Sequence, residues 1–233
     1  MASDAHVHHQ ETLALREQFE SAAQQKDAST LGMWIFLITE VMFFGGMFLA
    51  YTVYRNAYPD IFAVASSSIN VYWGAANTVV LLCSSLTMVL AVRAAQLGQK
   101  QMIVLFLILT LILGGIFLGV KAKEWYDKYE EHHIPGPTFH LEFPHELEHL
   151  DTPANQGHAQ LFFSLYFAMT GLHALHMVIG AGLLLYLVFE ARKGRYNADY
   201  NTPVDLIGLY WHFVDVIWIF LFPLLYLIDR HMK

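Results

Sequence analysis

Long stretches of apolar residues alternate with shorter polar segments along most of this chain. Five of the stretches are long enough for a helix that rises 1.5 Å per residue to cross a hydrocarbon core of about 30 Å. They cover approximately residues 31–54, 73–94, 102–120, 161–189 and 204–228. This pattern predicts an all-α fold, a polytopic membrane helix bundle of five transmembrane helices.

The polar residues divide the chain into two parts. Residues 1–30 form a polar N-terminal tail that contains His6, His8 and His9, and the tail is expected to be solvated. Residues 31–233 form the membrane domain, whose longest connection is an acidic, histidine-rich loop at residues 121–158 with four prolines.

Composition agrees with a membrane bundle and excludes several other classes. Hydrophobic residues make up 56% of the chain and charged residues 14%, with a formal net charge of −7. Without a basic patch, nucleic-acid binding is not expected. The single cysteine, Cys83, excludes an internal disulfide and a cysteine-based metal cluster.

Basic residues give a weak indication of orientation. The tail and the loops on its side carry seven Lys and Arg residues, and the opposite side carries six. The compact basic cluster at residues 192–195 nevertheless favours an N-terminus in the cytoplasm.

One carboxyl falls near the middle of a predicted membrane helix. Glu40 lies about 14–15 Å from the start of the first span. Burial at this depth favours the neutral form of a carboxyl, and ionisable groups inside a membrane often have a function. Two interpretations stay open, a structural hydrogen bond to a neighbouring helix and a role in proton handling.

Further polar side chains lie in the other predicted helices. His173 and His176 are three residues apart and so share one helix face, as do His212 and Asp215. A hydrogen-bonded network between helices is favoured over haem ligation, which needs facing histidines at matched depths. The second predicted helix adds hydrogen-bonding groups at Asn77, Ser84 and Ser85.

Residues 145–149, His-Glu-Leu-Glu-His, match the zinc-protease pattern H-E-x-x-H. The match is attributed to chance because this loop is rich in both histidine and glutamate. No metal site is expected, and the weak candidates for loop metal binding are His132, His133, His140, His145 and His149.

Several motifs together resemble the subunit III family of the haem-copper oxidases. Residues 210–218, Tyr-Trp-His-Phe-Val-Asp-Val-Ile-Trp, resemble its last-helix signature, and residues 170–176, Thr-Gly-Leu-His-Ala-Leu-His, with Gly180, resemble its Thr-Gly-x-His-x-x-His helix. Residues 39–44, Thr-Glu-Val-Met-Phe-Phe, are similar to a helix with an embedded glutamate. The pairs 77–78 and 84–85 and the Glu124-Trp125 pair resemble further family motifs.

The resemblance implies a short, five-helix subunit III. Such a subunit holds no cofactor itself, while haems and copper lie in partner subunits, and bound phospholipid is expected. Its complex is an oxygen-reducing, proton-translocating cytochrome c oxidase of aerobic respiration. Within it, subunit III stabilises catalytic subunit I and supports proton uptake without performing the chemistry. Lys121 stands where the family commonly has glutamine.

The resemblance also implies location and partners. The expected location is a bacterial-type inner (cytoplasmic) membrane, with the N-terminus cytoplasmic and the C-terminus and the loop 121–158 on the outer side. Expected partners are subunit I, other oxidase subunits and membrane lipids, with cytochrome c or a larger respiratory supercomplex as further candidates and no nucleic acid. The alternatives are a quinol oxidase subunit III, a small membrane transporter and a membrane metalloprotease that would use the loop motif.

Overall fold

A computed structural model describes residues 18–198 and 200–228, so the histidines of the N-terminal tail lie outside the described residues. Six α-helices are present in this part: α1 (Ala22–Ala57), α2 (Pro59–Ser67), α3 (Val71–Gln96), α4 (Lys100–Glu130), α5 (Pro153–Arg192) and α6 (Thr202–Tyr226). A 3₁₀ helix, His145–Leu150, lies between α4 and α5. All of the α-helices except α2 are long and apolar enough to cross a membrane. The predicted all-α bundle with five transmembrane helices is confirmed.

Most membrane helices extend beyond the apolar stretches that predicted them. α1 begins at Ala22 instead of residue 31, and α4 continues to Glu130 although its apolar stretch stops near residue 120. Lys, Glu and Gln are good helix formers, so a helix can continue past the hydrocarbon boundary. The 31 residues of α4 would measure about 46 Å, which is longer than the hydrocarbon core is thick. The first ten residues of the predicted loop are therefore helical.

Two helix ends depend on glycine. Gly98 follows α3 and Gly194 follows α5, with φ angles of 68° and 77°. Few other residues adopt this left-handed conformation without strain. Both turns allow the next backbone N–H to reach a carbonyl of the last helical turn, as in Gln99 N to Ala94 O at 2.9 Å. These turns return the chain directly into the bundle.

The short helix α2 was not predicted from the sequence, because its nine residues are too few to cross a membrane. It packs against α5 and α6 and buries Ile61 and Phe62. Ser66 Oγ donates a hydrogen bond of 2.8 Å to the carbonyl of Leu225, and Tyr51 Oη of α1 donates one of 2.7 Å to the carbonyl of Leu224. Hydroxyls of α1 and α2 thus satisfy carbonyls at the end of α6, where the helix can offer no further N–H partners.

The C-terminal helix α6 is at the centre of the bundle. It packs against α1, α2, α3 and α5, and the indoles of Trp211 and Trp218 are fully buried. Gly114 of α4 and Gly180 of α5 make room for Trp211, since a Cβ at either position would lie within 3.0 Å of the indole ring. By contrast, most of the apolar surface of α1 is exposed within this chain.

Candidate functional site

Within the described residues, three clusters contain most of the polar residues that the sequence placed inside the membrane. The first pairs Glu40 with His176 between α1 and α5. The second, here called the Lys121 cluster, consists of Lys121 and Glu124 of α4, Tyr166 of α5 and Tyr226 of α6. The third consists of Ser85 of α3 with His212 and Asp215 of α6.

The geometry of the first pair determines how many protons it shares. His176 Nδ1 lies 2.9 Å from the carbonyl oxygen of Leu172, which can only accept, so Nδ1 carries a hydrogen. His176 Nε2 lies 3.2 Å from Glu40 Oε2. A single proton between these two atoms gives either a neutral acid and imidazole or a carboxylate and an imidazolium. The pair can therefore hold one proton between these two atoms, and release of that proton would leave two acceptors facing each other.

The surroundings of the Glu40–His176 pair fix one partner more firmly than the other. The imidazole of His176 is buried between Phe44, at a centroid distance of 5.6 Å, and Tyr210, at 6.4 Å. The hydroxyl of Tyr210 donates a 2.9 Å hydrogen bond to the carbonyl of His176. The side chain of Glu40 is 20% exposed at the outer surface of this chain. Histidine is thus held in place, while the carboxyl faces lipid or another subunit.

The Lys121 cluster is a closed set of hydrogen bonds. The ammonium group donates to Glu124 Oε1 at 3.1 Å and to the hydroxyls of Tyr166 and Tyr226 at 3.0 and 2.6 Å. Both hydroxyls in turn donate to Glu124 Oε1, at 2.5 and 2.6 Å. All three ammonium hydrogens are used. The centroid of the Trp218 ring lies 5.2 Å from Lys121 Nζ. The two tyrosine hydroxyls thus connect the buried charge pair of α4 to α5 and α6.

His173 does not join either neighbouring cluster by a hydrogen bond. It lies three residues from His176 on α5, but its ring packs against Phe117 at 5.5 Å and Trp218 at 5.2 Å. Within the described residues, neither ring nitrogen has a hydrogen-bond partner. The two histidines of the motif therefore have different environments, one polar and one aromatic.

The third cluster and its neighbours connect α3 to α6 and α4. Ser85 Oγ lies 2.8 Å from His212 Nδ1. Asp215 is buried near Ser85, but neither of its oxygens accepts a hydrogen bond within the described residues. Ser84 Oγ accepts from Trp211 Nε1 at 3.0 Å, and Asn77 Nδ2 donates to the carbonyl of Phe117 at 3.3 Å. These polar residues act as interhelical ties.

The loop histidines lie apart from the membrane clusters. His133 is buried and stacks on Phe163, with Nδ1 3.0 Å from the carboxylate of Glu131. His145 and His149 lie in the 3₁₀ helix, where Leu147 departs from helical geometry, so they do not have the α-helical spacing that a zinc protease requires. Across residues 18–198 and 200–228, no group of three His, Cys, Asp or Glu side chains is placed to hold a metal ion.

Sequence reasoning missed the residues that surround the predicted ones. The sequence analysis assigns Lys121 to the start of a loop, treats Tyr166 and Tyr226 only as members of apolar spans, and includes Trp218 only as part of the last-helix signature. One signal was available, because Lys121 and Glu124 follow Gly114 and Phe117 at helical spacing on the buried side of α4. Continuation of that spacing would have placed the pair inside the bundle.

The fold and these clusters define a class, namely multi-pass membrane proteins whose intramembrane polar side chains are hydrogen-bonded across neighbouring helices. Known proteins define the family more closely. The family described as Cytochrome c oxidase subunit III matches residues 147–229. Cytochrome c oxidase subunit 3 of Thermostichus vulcanus is 30% identical over 212 residues, which cover 91% of this chain and 92% of the relative.

Relatives from two kinds of oxidase have the same level of identity. Quinol oxidase subunit 3 of Bacillus spizizenii is 30% identical over 84% of this chain and 85% of the relative. Cytochrome c oxidase subunit 3 of Corynebacterium diphtheriae is 30% identical over 90% of this chain and 92% of the relative. The chain belongs to the subunit III family of the haem-copper oxidases, and it is a membrane subunit of a terminal oxidase complex.

Proposed function

We propose that this chain is a cofactor-free subunit III that stabilises the catalytic subunit I of a proton-pumping cytochrome c oxidase and supports its proton uptake during sustained turnover. The observation that carries the proposal is the Glu40–His176 pair, which can share one proton at membrane depth. Its carboxyl is partly exposed at the surface of the chain, where a neighbouring subunit or lipid would meet it.

Two substitutions at Glu40 separate proton handling from structure. Glu40→Gln keeps the shape and can donate a hydrogen bond to His176 Nε2, but it removes the shared proton. Glu40→Ala also leaves a cavity and an unpaired imidazole nitrogen. We expect the Gln variant to assemble normally, with unchanged haem spectra, and to lose sustained turnover most at high pH, where proton supply limits the rate.

The measurement is oxygen consumption by the purified complex over many turnovers and across pH, with Glu20→Gln, an exposed glutamate just before α1, as the matched control. If the Gln variant has wild-type turnover at every pH and the Ala variant loses subunit III from the complex, Glu40 is only a structural tie. That result would remove the proton role from the proposal.

The proposed absence of cofactors rests on the available donors. Two haems and a copper ion require several histidines that face one another across helices. His173 instead packs among aromatic rings, His176 and His212 belong to different clusters, and His176 is already engaged at both nitrogens. Haem absorption that follows this polypeptide after its separation from the other subunits would contradict the proposal.

Cytochrome c is the proposed electron donor of the complex, and quinol is the alternative. The similarity to relatives of both kinds is equal, so the argument rests on the acidic connection between α4 and α5. Negative charge on that side would attract a basic protein and raise its encounter rate. Neutralising Glu142, Glu146 and Glu148 together should slow cytochrome c oxidation at low ionic strength, whereas oxidation of a quinol should not change.

A further inference from the structure

Tyr210 of α6 contacts both helices that carry the Glu40–His176 pair. Its hydroxyl donates a 2.9 Å hydrogen bond to the main-chain carbonyl of His176 on α5. Its ring stacks on the ring of Phe36 on α1, with a centroid distance of 6.1 Å and 28° between the ring planes. Phe36 precedes Glu40 by four residues, so the two side chains share one face of α1. A single side chain of α6 therefore touches α5 at His176 and α1 one turn from Glu40.

The position of Tyr210 is itself well defined. The residue is buried. Gly180 lies one turn beyond His176 on α5, and a Cβ at this glycine would be 3.1 Å from Tyr210 Cε1. The neighbouring Trp211 is fully buried, and its indole N–H donates to Ser84 Oγ on α3. This part of α6 is thus fixed against α3 and α5.

The helix that carries Glu40 is packed much more loosely. Only 11% of the residues in the most apolar stretch of α1 are buried within this chain, compared with 50% for α6. The hydrogen bond from Tyr51 to the carbonyl of Leu224 fixes α1 at a point about 16 Å along the helix from Glu40. Near Glu40, α1 meets the bundle through the rings of Phe36 and Phe44. Loss of one of these contacts would let this part of α1 move.

The contact between the two members of the pair is sensitive to such movement. Glu40 Oε2 lies 3.2 Å from His176 Nε2, and a separation of about 3.6 Å would no longer be a hydrogen bond. A displacement of α1 by a few tenths of an ångström would therefore break the contact. The nearest other histidines on α5 and α6 are engaged elsewhere, because His173 packs among aromatic rings and His212 contacts Ser85.

We propose that Tyr210 is a positioning residue that sets the distance between Glu40 and His176. Its hydroxyl holds the main chain of α5 at His176, and its ring supports α1 at Phe36. A carboxyl and an imidazole exchange a proton only when the two atoms lie within hydrogen-bond reach. This inference rests on the proton role proposed for the pair and adds the residue that aligns its two members.

Solid-state NMR of the intact complex with isotope-labelled histidine tests the alignment directly. The Nε2 resonance of His176, assigned by its absence from His176→Gln, reports the hydrogen bond to Glu40. Tyr210→Phe removes the hydroxyl and keeps the ring. The matched control is Tyr51→Phe, which removes another buried hydroxyl that donates to a main-chain carbonyl, away from the pair. We expect Glu40→Gln and Tyr210→Phe to shift the Nε2 resonance and Tyr51→Phe to leave it unchanged.

Turnover shows whether Tyr210 acts through the pair. We expect Tyr210→Phe to lower sustained turnover at high pH by no more than Glu40→Gln does. The double variant Glu40→Gln/Tyr210→Phe should equal Glu40→Gln alone, because the pair is already disabled.

Three results would overturn the inference. They are an unchanged Nε2 resonance in Tyr210→Phe, wild-type turnover of Tyr210→Phe beside an impaired Glu40→Gln, and losses that multiply in the double variant. If Glu40→Gln has wild-type turnover while Tyr210→Phe still shifts the resonance, the proton role fails and the positioning of the pair by Tyr210 stands.

Discussion

Two glycines decide how closely Trp211 can pack, and they provide a sharp test of the core. A methyl group at Gly114 would lie 2.8 Å from the indole, whereas nothing lies within 4 Å of the corresponding position at Gly115. We expect Gly114→Ala to destabilise the protein by about 1–3 kcal/mol through overpacking, while Gly115→Ala should be neutral or slightly stabilising because alanine favours a helix. The midpoint of heat-induced loss of this subunit from the purified complex measures both. Equal midpoints for the two variants would contradict the packing of Trp211.

The Lys121 cluster predicts strong coupling between two substitutions. Lys121→Gln leaves the carboxylate of Glu124 buried without its cation, and Glu124→Gln leaves the ammonium without its anion. Removing one partner of a buried pair costs about 3–5 kcal/mol, while replacing both can be close to neutral. The double variant Lys121→Gln/Glu124→Gln should therefore be more stable than either single variant. Additive losses in the same thermal measurement would show that the two residues act independently.

For single residues, the sequence predicts which side chains within the membrane are polar but not which of them form pairs. Glu40 and His176 lie on different helices, and only the packing of α1 against α5 brings them together. Lys121 was placed in a loop because an apolar pattern marks the part of a helix in lipid, not the whole helix. Tyr166 and Tyr226 have hydroxyls whose use depends on which neighbour the fold supplies.

Among the elements, the five spanning helices are predictable and the segments between them are much less so. Bilayer thickness sets the minimum length of the apolar span, so a long apolar stretch reveals each spanning helix although not its ends. The short helix α2 carries no such signal, since its burial depends on contacts with α5 and α6. The 3₁₀ helix is also not predictable from the sequence, because its residues match a metal-binding motif of α-helices while the backbone adopts a 3₁₀ conformation.

The connection between α4 and α5 should weaken in acid. Burial lowers the pKa of His133 below its usual 6.5, and the nearby Lys128 lowers it further, against the opposing effect of Glu131. The folded connection then binds fewer protons than the unfolded one, so its stability is complete above about pH 6.5 and falls as the pH drops below that value. Hydrogen exchange of the Phe139 and His140 amides, corrected for intrinsic rates, should be faster at about pH 5 than at about pH 7.5.

His133→Phe keeps an aromatic ring on Phe163 and removes the titrating group, so its exchange should depend less on pH. His149→Asn, at an exposed histidine of the 3₁₀ helix, should behave as wild type. If acid affects the His133→Phe variant as much as wild type, another group controls this segment.

For the molecule as a whole, the proposed orientation puts the turn at Gln99 in the cytoplasm and the connection at His149 outside. Single cysteines at these two positions, in a Cys83→Ser background, should differ in reactivity toward an impermeant thiol reagent in intact cells. His149→Cys should react at once, and Gln99→Cys only after permeabilisation, since both side chains are exposed in this chain. The opposite pattern would reverse the topology.

The central position of α6 also constrains how the protein is made. This helix leaves the ribosome after α1 to α5, yet it supplies Tyr226 to the buried charges of α4, His212 to Ser85, and the carbonyls that Tyr51 and Ser66 satisfy. Until α6 inserts, a nascent chain with four membrane helices holds unpaired polar groups in lipid, where they are costly. Premature termination before residue 202 would therefore yield a chain that the cell's membrane proteases can distinguish from the finished subunit.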